Sequence, residues 1–359
     1  YQIAETVICV NRRMSYNGVK KILEDHDEEE CKAYEPFVPM LEQMRELSAI
    51  LRDRRHKRGS IDFDFAESKI ILDGEGHPVD IRPYERSVAT RMIEDFMLAA
   101  NETVAQYFYW LELPFVYRTH EKPDSDKIRK LATFIRNFGY RIKVTGEEIH
   151  PKEIQKLLDQ IADTKEETMI SRLTLRSMQQ AKYTVECTGH FGLAFQHYCH
   201  FTSPIRRYPD LQIHRIIKEQ LRGKLTKERI ERYEERLPEV AKHSSKMERR
   251  AAEAERETDR IKKAEYMEDH IGEIWEGVIS GITQWGLYVE LHNTVEGLLH
   301  VSALSGDYFY YDEEACEMVG KESGVVYKLG QRLTIRVKNA DRLTGTVDFE
   351  LPQADADRE

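Results

Sequence analysis

The apolar positions of the chain change period several times, and each change marks an element. Tyr1, Ile3, Val7, Ile8 and Val10 alternate roughly with polar residues, which predicts a strand. Over residues 40–52 the spacing turns helical, with Met40, Leu41, Met44, Leu47, Ile50 and Leu51 on one face. The basic run of residues 52–59 has the composition of a solvated face. Ile61, Phe63 and Phe65 alternate again and predict a half-buried strand, and residues 67–81 predict a hairpin around Gly74-Glu75-Gly76. Residues 86–112 form a long amphipathic helix, the turn before residue 124 leads into another, and residues 151–163 and 165–181 give two more. Tyr183, Val185, Cys187, then Phe191, Leu193 and Phe195, alternate as strands. Residues 226–270 are helical, with Pro238 the expected break; unbroken, such a helix would be on the order of 65 Å long. From residue 272 onward Val278, Ile282, Leu287, Val289 and Leu291 alternate with polar residues and the chain turns at glycines, which predicts a separate all-β module. The class expected is therefore α+β, with domains at residues 1–270 and 271–351 and a tail at 352–359.

Composition changes this picture little. A chain of 359 residues with 40% hydrophobic positions can fill two or three cores. The net charge of −10 argues against an RNA-coating surface, although a local basic channel acts through its own field. Cys9, Cys31, Cys187, Cys199 and Cys316 are odd in number and lack zinc-ligand spacing, which fits free thiols in a reducing cytoplasm. No apolar run approaches the ~18 residues of a membrane span, so no membrane partner is expected. The opening at Tyr1, inside an apolar stretch, leads to the expectation that something precedes it.

The densest chemistry lies in HFGLAFQHYCHFTSPIRRYPDLQIHR, residues 190–215, with its histidines, aromatics and paired arginines. Ser203-Pro204 predicts a helix start, because proline suits the first helical position and a preceding serine can cap. Arg206 and Arg207 would then sit in the first turn, where the helix dipole disfavours cations. An anion such as a phosphate would reconcile them with that site. Neutralisation by a nearby carboxylate such as Asp210 is the competing explanation. Leu211, Ile213, Ile216, Ile217 and Leu221 supply an apolar face behind the turn.

HYCHFTSPIRRYPDLQIHR resembles the signature of the ribonuclease R/ribonuclease II (RNB) family of 3′-to-5′ exoribonucleases, and the resemblance extends over essentially the whole chain. It implies magnesium-dependent, processive hydrolysis of single-stranded or structured RNA to 5′-nucleoside monophosphates. Arg206 would hold the scissile phosphate, with Arg207 beside it on the substrate. RRAAEAERETDR is similar to the helix that supplies a catalytic glutamate, a role that falls on Glu255, with Glu253 and Glu257 as neighbours. Tyr16 in NRRMSYNGV matches a tyrosine near the cleavage site, Phe63 a base-stacking aromatic, and Glu94 in MIEDFMLAAN a carboxylate that contacts a ribose hydroxyl. Each also has an ordinary reading: a packed tyrosine, a core phenylalanine, an exposed helix glutamate.

Residues 272–351 resemble an S1 domain, a five-stranded OB-type barrel, with Trp285, Tyr288 and His300 where a stacking platform is exposed and Arg336 and Lys338 as phosphate contacts. Thr346 stands where relatives often carry a basic residue, which would weaken RNA contact on that side. Residues 306–324 look like the variable loop of the domain. The family's aspartate cluster, which binds two magnesium ions, has no counterpart here, since Asp62 and Asp64 in IDFDF match it only superficially. No metal ligand is therefore assigned in this chain. The partners expected are single-stranded RNA and an N-terminal part of the same protein, in a monomer. The alternative is a non-catalytic RNA-binding or scaffold protein of the same ancestry.

Overall fold

The structure is a computed structural model that describes residues 1–352 apart from 64, 66, 85, 145–148, 165, 305 and 314. Asp64 and nearly all of the expected tail lie outside the described residues. The chain folds as a helix-rich body followed by a closed barrel, the α+β class expected.

Helices α1 (Tyr16–Lys20), α2 (Glu28–Ala33) and α3 (Val38–Arg58) open the body. Strands β1 (Ser68–Leu72) and β2 (Pro78–Pro83) form the expected antiparallel hairpin, and α4 (Val88–Trp110) is the long helix after it. Strand β3 (Tyr117–Thr119) pairs with β4 (Lys182–Thr184) across α5 (Ser125–Arg136), α6 (Pro151–Ile161) and α7 (Glu167–Ser177). Helix α8 (Tyr208–Leu221) leads into α9 (Lys227–Glu268), 42 residues and about 63 Å of helix. Pro238 lies inside α9 without ending it, so the missing hydrogen bond is absorbed within the helix.

The barrel follows as β5 (Ile274–Thr283), β6 (Gly286–Leu291), β7 (Glu296–His300), β11 (Arg332–Asp341) and β12 (Thr346–Glu350), closed in the order β11-β12-β7-β6-β5. Between β7 and β11, strands β8 (Phe309–Asp312), β9 (Glu317–Gly320) and β10 (Val326–Lys328) make a small sheet. The segment expected as a variable loop therefore contributes strands, with Phe309 and Met318 buried in the barrel core. Leu287, Val289 and Leu291 point into that core while Tyr288 and Glu290 point out, the alternation that a strand imposes. Gly297 is required there, because a Cβ would run into the Phe349 ring.

Three sequence expectations fail for one physical reason. Residues 1–10 carry no regular secondary structure; Tyr1, Val7, Ile8 and Val10 are exposed, and among the described residues no neighbouring backbone pairs with them. Ile61, Phe63 and Phe65 are irregular, and residues 185–195 form turns with isolated bridges at His190. An alternating pattern supplies the side-chain faces of a strand, but a strand also needs a backbone partner.

The barrel is continuous with the body. Ile81 of β2 and Ala264 and Met267 of α9 belong to its core. The Lys263 ammonium donates to the Thr294 carbonyl at 2.7 Å, Ser68 and Thr294 hydroxyls bond at 2.6 Å, and Arg172 of α7 pairs with Glu290 and Glu296.

Candidate active site and nucleic-acid interface

The helix expected at Ser203 begins at Tyr208, with Pro209 in its first turn. Residues 203–207 are instead a turn, in which the Ser203 carbonyl accepts the amides of Arg206 at 3.3 Å and Arg207 at 3.0 Å. The carboxylate of Asp210, fully buried in the first turn of α8, organises that turn. It accepts the Ser203 amide at 2.8 Å and three bonds from Arg207, two from Nε at 3.0 Å and one from Nη2 at 2.8 Å. The arginine pair is thereby split. Arg207, expected on the substrate, points inward to Asp210, because a buried carboxylate needs a cation. Arg206 is exposed, and among the described residues its guanidinium has no partner. Ile205 beside it is 100% exposed, so the tip of the turn is open to whatever Arg206 meets.

Behind the turn lies a buried polar cluster that the sequence reading missed. Asn101 of α4 donates to the Tyr198 hydroxyl at 3.2 Å and accepts the Phe201 amide at 2.9 Å. The Tyr183 hydroxyl and His200 Nδ1 bond at 2.9 Å, and Arg118 lies over the Tyr183 ring, 4.7 Å from its centroid. Burial, then the cations of Arg207, Arg118 and Arg206 with His190, depress the His200 pKa to about 2. Burial and His120, with Arg118, depress His190 to about 3.

Both histidines are neutral in the folded chain, whereas in the unfolded chain they titrate near ~6.5. Below that value the unfolded state binds more protons, so stability is lost as pH falls and is fully present above it. The slope approaches about 1.4 kcal/mol per pH unit for each histidine well below ~6.5, and the loss between about pH 7 and about pH 5.5 is about 1.2 kcal/mol for each. Urea denaturation at about pH 7 and about pH 5.5 measures it, and His200→Gln should flatten the curve. An unchanged slope in that variant would rule out His200 as a source of the loss.

Helix α9 runs past this cluster. The Tyr183 amide donates to Ser245 Oγ at 2.9 Å, and Arg118 pairs with Glu248 at 2.6 Å. Glu255 lies seven residues beyond Glu248, two turns or about 10 Å further along nearly the same helix face. Residues 249–258 are all exposed, and the carboxylates of Glu253 and Glu255 have no partner among the described residues. Glu257, a fallback candidate with Glu253, pairs with Arg260 at 2.6 Å on the exposed surface. One further turn on, Arg256, Arg260 and Lys263 line a cleft of about 430 Å³ together with Tyr288 and Thr346 of the barrel. Asp259, Glu296 and Asp348 line the same cleft, so its charges are mixed and the basic residue absent at Thr346 is not replaced by a net positive surface.

On the barrel, Trp285 is 60% exposed at the turn into β6. Gly286 pairs with His300 and Tyr288 with Leu298, so Tyr288 and His300 share the outer face as diagonal neighbours. Gly286 has φ 143°, and a Cβ there would collide with the Leu299 carbonyl. The Ser302 amide donates to His300 Nδ1 at 3.2 Å, which fixes the ring. Lys338 is exposed on β11, whereas Nε of Arg336 is buried without a hydrogen-bond partner among the described residues.

The remaining candidates lie on the other flank. Tyr16 is exposed at the first turn of α1, capped by Ser15, whose hydroxyl accepts the Gly18 amide at 3.1 Å. Glu94 on α4 is partly buried and has no ion-pair partner among the described residues. Its neighbour Asp95, 1% exposed, binds Ser48 at 2.6 Å, Arg52 at 2.7 Å and Arg55 at 2.8 Å, so part of the basic run of α3 is an internal clamp. Phe63 stacks on Phe65 with ring centroids 5.8 Å apart and packs against the α5–α7 core. The Ile61 amide donates to the Gly192 carbonyl at 2.7 Å, which ties this segment to the start of the histidine-rich motif. Among the described residues no three His, Cys, Asp or Glu side chains gather as a metal site.

Comparison with known proteins identifies the family. The RNB domain model matches residues 1–223 and the S1 RNA binding domain model residues 268–351. Ribonuclease R 1 of Lactococcus lactis is 45% identical over 357 residues, 99% of this chain and 44% of that protein. Ribonuclease R of Thermotoga maritima is 44% identical over 359 residues, 99% of this chain and 50% of its own length. The chain thus spans about half the length of these curated relatives. The solved structure of Mycoplasma genitalium RNase R in complex with ribose methylated single-stranded RNA superposes with a TM-score of 0.87 at 28% identity, over 95% of this chain and 53% of that one. A signature turn shaped by Asp210, a long helix bearing Glu255 and a barrel at its end, matched over 99% of the chain, make this protein a member of the RNB family, of the ribonuclease R kind.

Proposed function

We propose that this chain is part of a processive 3′-to-5′ exoribonuclease that hydrolyses single-stranded or structured RNA to 5′-nucleoside monophosphates. Arg206 holds the scissile phosphate, and Glu255 assists proton transfer or departure of the leaving oxygen. Tyr16, Phe63 and Glu94 position the terminal nucleotides, and Trp285, Tyr288 and His300 deliver the strand. Arg207 supports the turn rather than the substrate. The observation that carries this reading is the course of α9. One helix packs on β3 and β4 beside the buried cluster, bares Glu255 and then lines a cleft with the barrel.

Magnesium is the cofactor proposed. Its aspartate ligands would belong in the half of the relatives that this chain does not span. The protein is placed in the cytoplasm, where its five free cysteines stay reduced, and is taken to act as a monomer. Among the described residues no helix is long and apolar enough to cross a membrane.

The test uses labelled oligoribonucleotide and the 359-residue chain. The chain is expected to bind RNA with equal affinity in magnesium and in chelator, since among the described residues no metal ligand set gathers. Trp285→Ala should weaken binding by about 1–3 kcal/mol, roughly 5–150-fold, through loss of a stacking face. Extended to the relatives' full length, the protein should release nucleoside monophosphates from the 3′ end when magnesium is added. Binding without release by that longer protein would favour the scaffold alternative, and no binding at all would remove both readings.

A further inference from the structure

A cleft of about 610 Å³ lies between α8 and the first half of α9, beginning at Tyr208, two residues beyond Arg206. Its walls carry Arg215, Arg229, Arg232 and Arg236, with His243 at the far end. Two carboxylates oppose these four guanidinium groups, Glu219 and Glu239. Glu219 is already engaged by Arg229 and by the Tyr233 hydroxyl at 3.1 Å, which makes that trio a structural brace between the two helices. Arg215, Arg232 and Arg236 are exposed and have no hydrogen-bond or ion-pair partner among the described residues. In a chain of net charge −10 rich in glutamate, three unpaired arginines along one cleft are a local reversal of sign. The spacing is regular: Arg229, Arg232 and Arg236 recur every three to four residues and share one face of α9, while Tyr208, Gln212 and Arg215 do so on α8. Leu237 and Val240 also line the cleft, and Tyr208, 51% exposed, offers a ring at its entrance.

We propose that this α8–α9 cleft is an auxiliary binding groove for the phosphate backbone of RNA, separate from the platform on the barrel and adjoining the turn that displays Arg206. The inference rests on the reading that this protein handles RNA. Guanidinium groups spaced along a groove, with an aromatic ring at one end, suit a strand of phosphates better than an isolated anion, which a single fork would satisfy.

The experiment measures RNA affinity of the 359-residue chain against salt concentration, using an oligoadenylate longer than the roughly 4–16 nucleotides that one OB-type fold covers. Each phosphate contact contributes about 0.7 to the slope of log affinity against log salt on single strands. The triple variant Arg215→Gln, Arg232→Gln, Arg236→Gln should therefore lose about 2 units of slope. The corresponding triple lysine variant should recover most of it, which separates lost charge from lost folding. Trp285→Ala serves as the contrast, weakening binding with the slope unchanged. Inorganic phosphate or a mononucleotide, added at constant ionic strength, should not compete; if either does, the groove is a small-anion site and the strand proposal falls. Parent chain that binds RNA with the same slope as the glutamine variant overturns the groove alone. Parent chain that does not bind RNA overturns the exoribonuclease reading with it.

Discussion

Arg206→Ala in the full-length protein is expected to lower kcat by about 10²–10³-fold, the range seen when one preorganised donor to a developing charge is removed. Kd for RNA should rise by no more than about tenfold, because one phosphate contact among many is lost. The asymmetry follows from the geometry. Arg206 is exposed at the tip of a turn and among the described residues no carboxylate pairs with it, so its charge is available to an incoming phosphate. A cation held on the scissile phosphate contributes most when charge builds up there, and interactions stronger in the transition state change kcat rather than affinity. Glu255→Ala should show the same split, since its side chain is exposed on α9 and pairs with no group among the described residues. Arg207→Ala should behave differently, with a loss of stability from the uncovered Asp210. Single-turnover kinetics with saturating enzyme, alongside equilibrium binding, read the two quantities separately. Equal losses in both for Arg206→Ala would contradict the assigned role.

The difference between Arg206 and Arg207 shows where sequence reading stops. The two arginines are adjacent and chemically identical, and Asp210 three positions on was a visible candidate partner. Which arginine it would take depends on the turn at 203–207, and that turn replaces the helix start that Ser203-Pro204 suggested. In the barrel more was legible, because alternation alone distinguishes Leu287, Val289 and Leu291 from Tyr288. The closure of β12 beside β7, and the packing of Ala264 and Met267 into the barrel core, are long-range facts without a local pattern. Asp95 and Asn101 were legible in principle, since they fall with Met92, Leu98, Val104 and Phe108 on the buried stripe of α4. A polar residue on an apolar stripe signals a buried network, and here the network joins α4 to α3 at Asp95 and to the histidine-rich motif at Asn101. The family resemblance assigned roles to residues such as Glu94 and Tyr16 whose surroundings alone imply no chemistry.

The largest stability effect is expected at Asp210. Asp210→Ala removes the only carboxylate that pairs with Arg207 among the described residues, and Arg207 is 18% exposed at its side chain. Stranding a mostly buried guanidinium costs about 3–5 kcal/mol, and the Ser203 amide loses its acceptor in the same step. For a chain of this size that amounts to a drop in Tm of roughly 4–7 °C by thermal denaturation. Turnover should fall as well, although Asp210 does not face the substrate, because the turn that Asp210 holds is the one that displays Arg206. Removing both charges separates the two effects. A double variant, Arg207→Leu with Asp210→Leu, leaves no stranded ion and should be more stable than Asp210→Ala alone, while its turnover stays low because the turn has lost its anchor. If Asp210→Ala instead unfolds within about 1 kcal/mol of the parent, the pair contributes no more than a surface ion pair, and the turn must be held by its backbone hydrogen bonds alone.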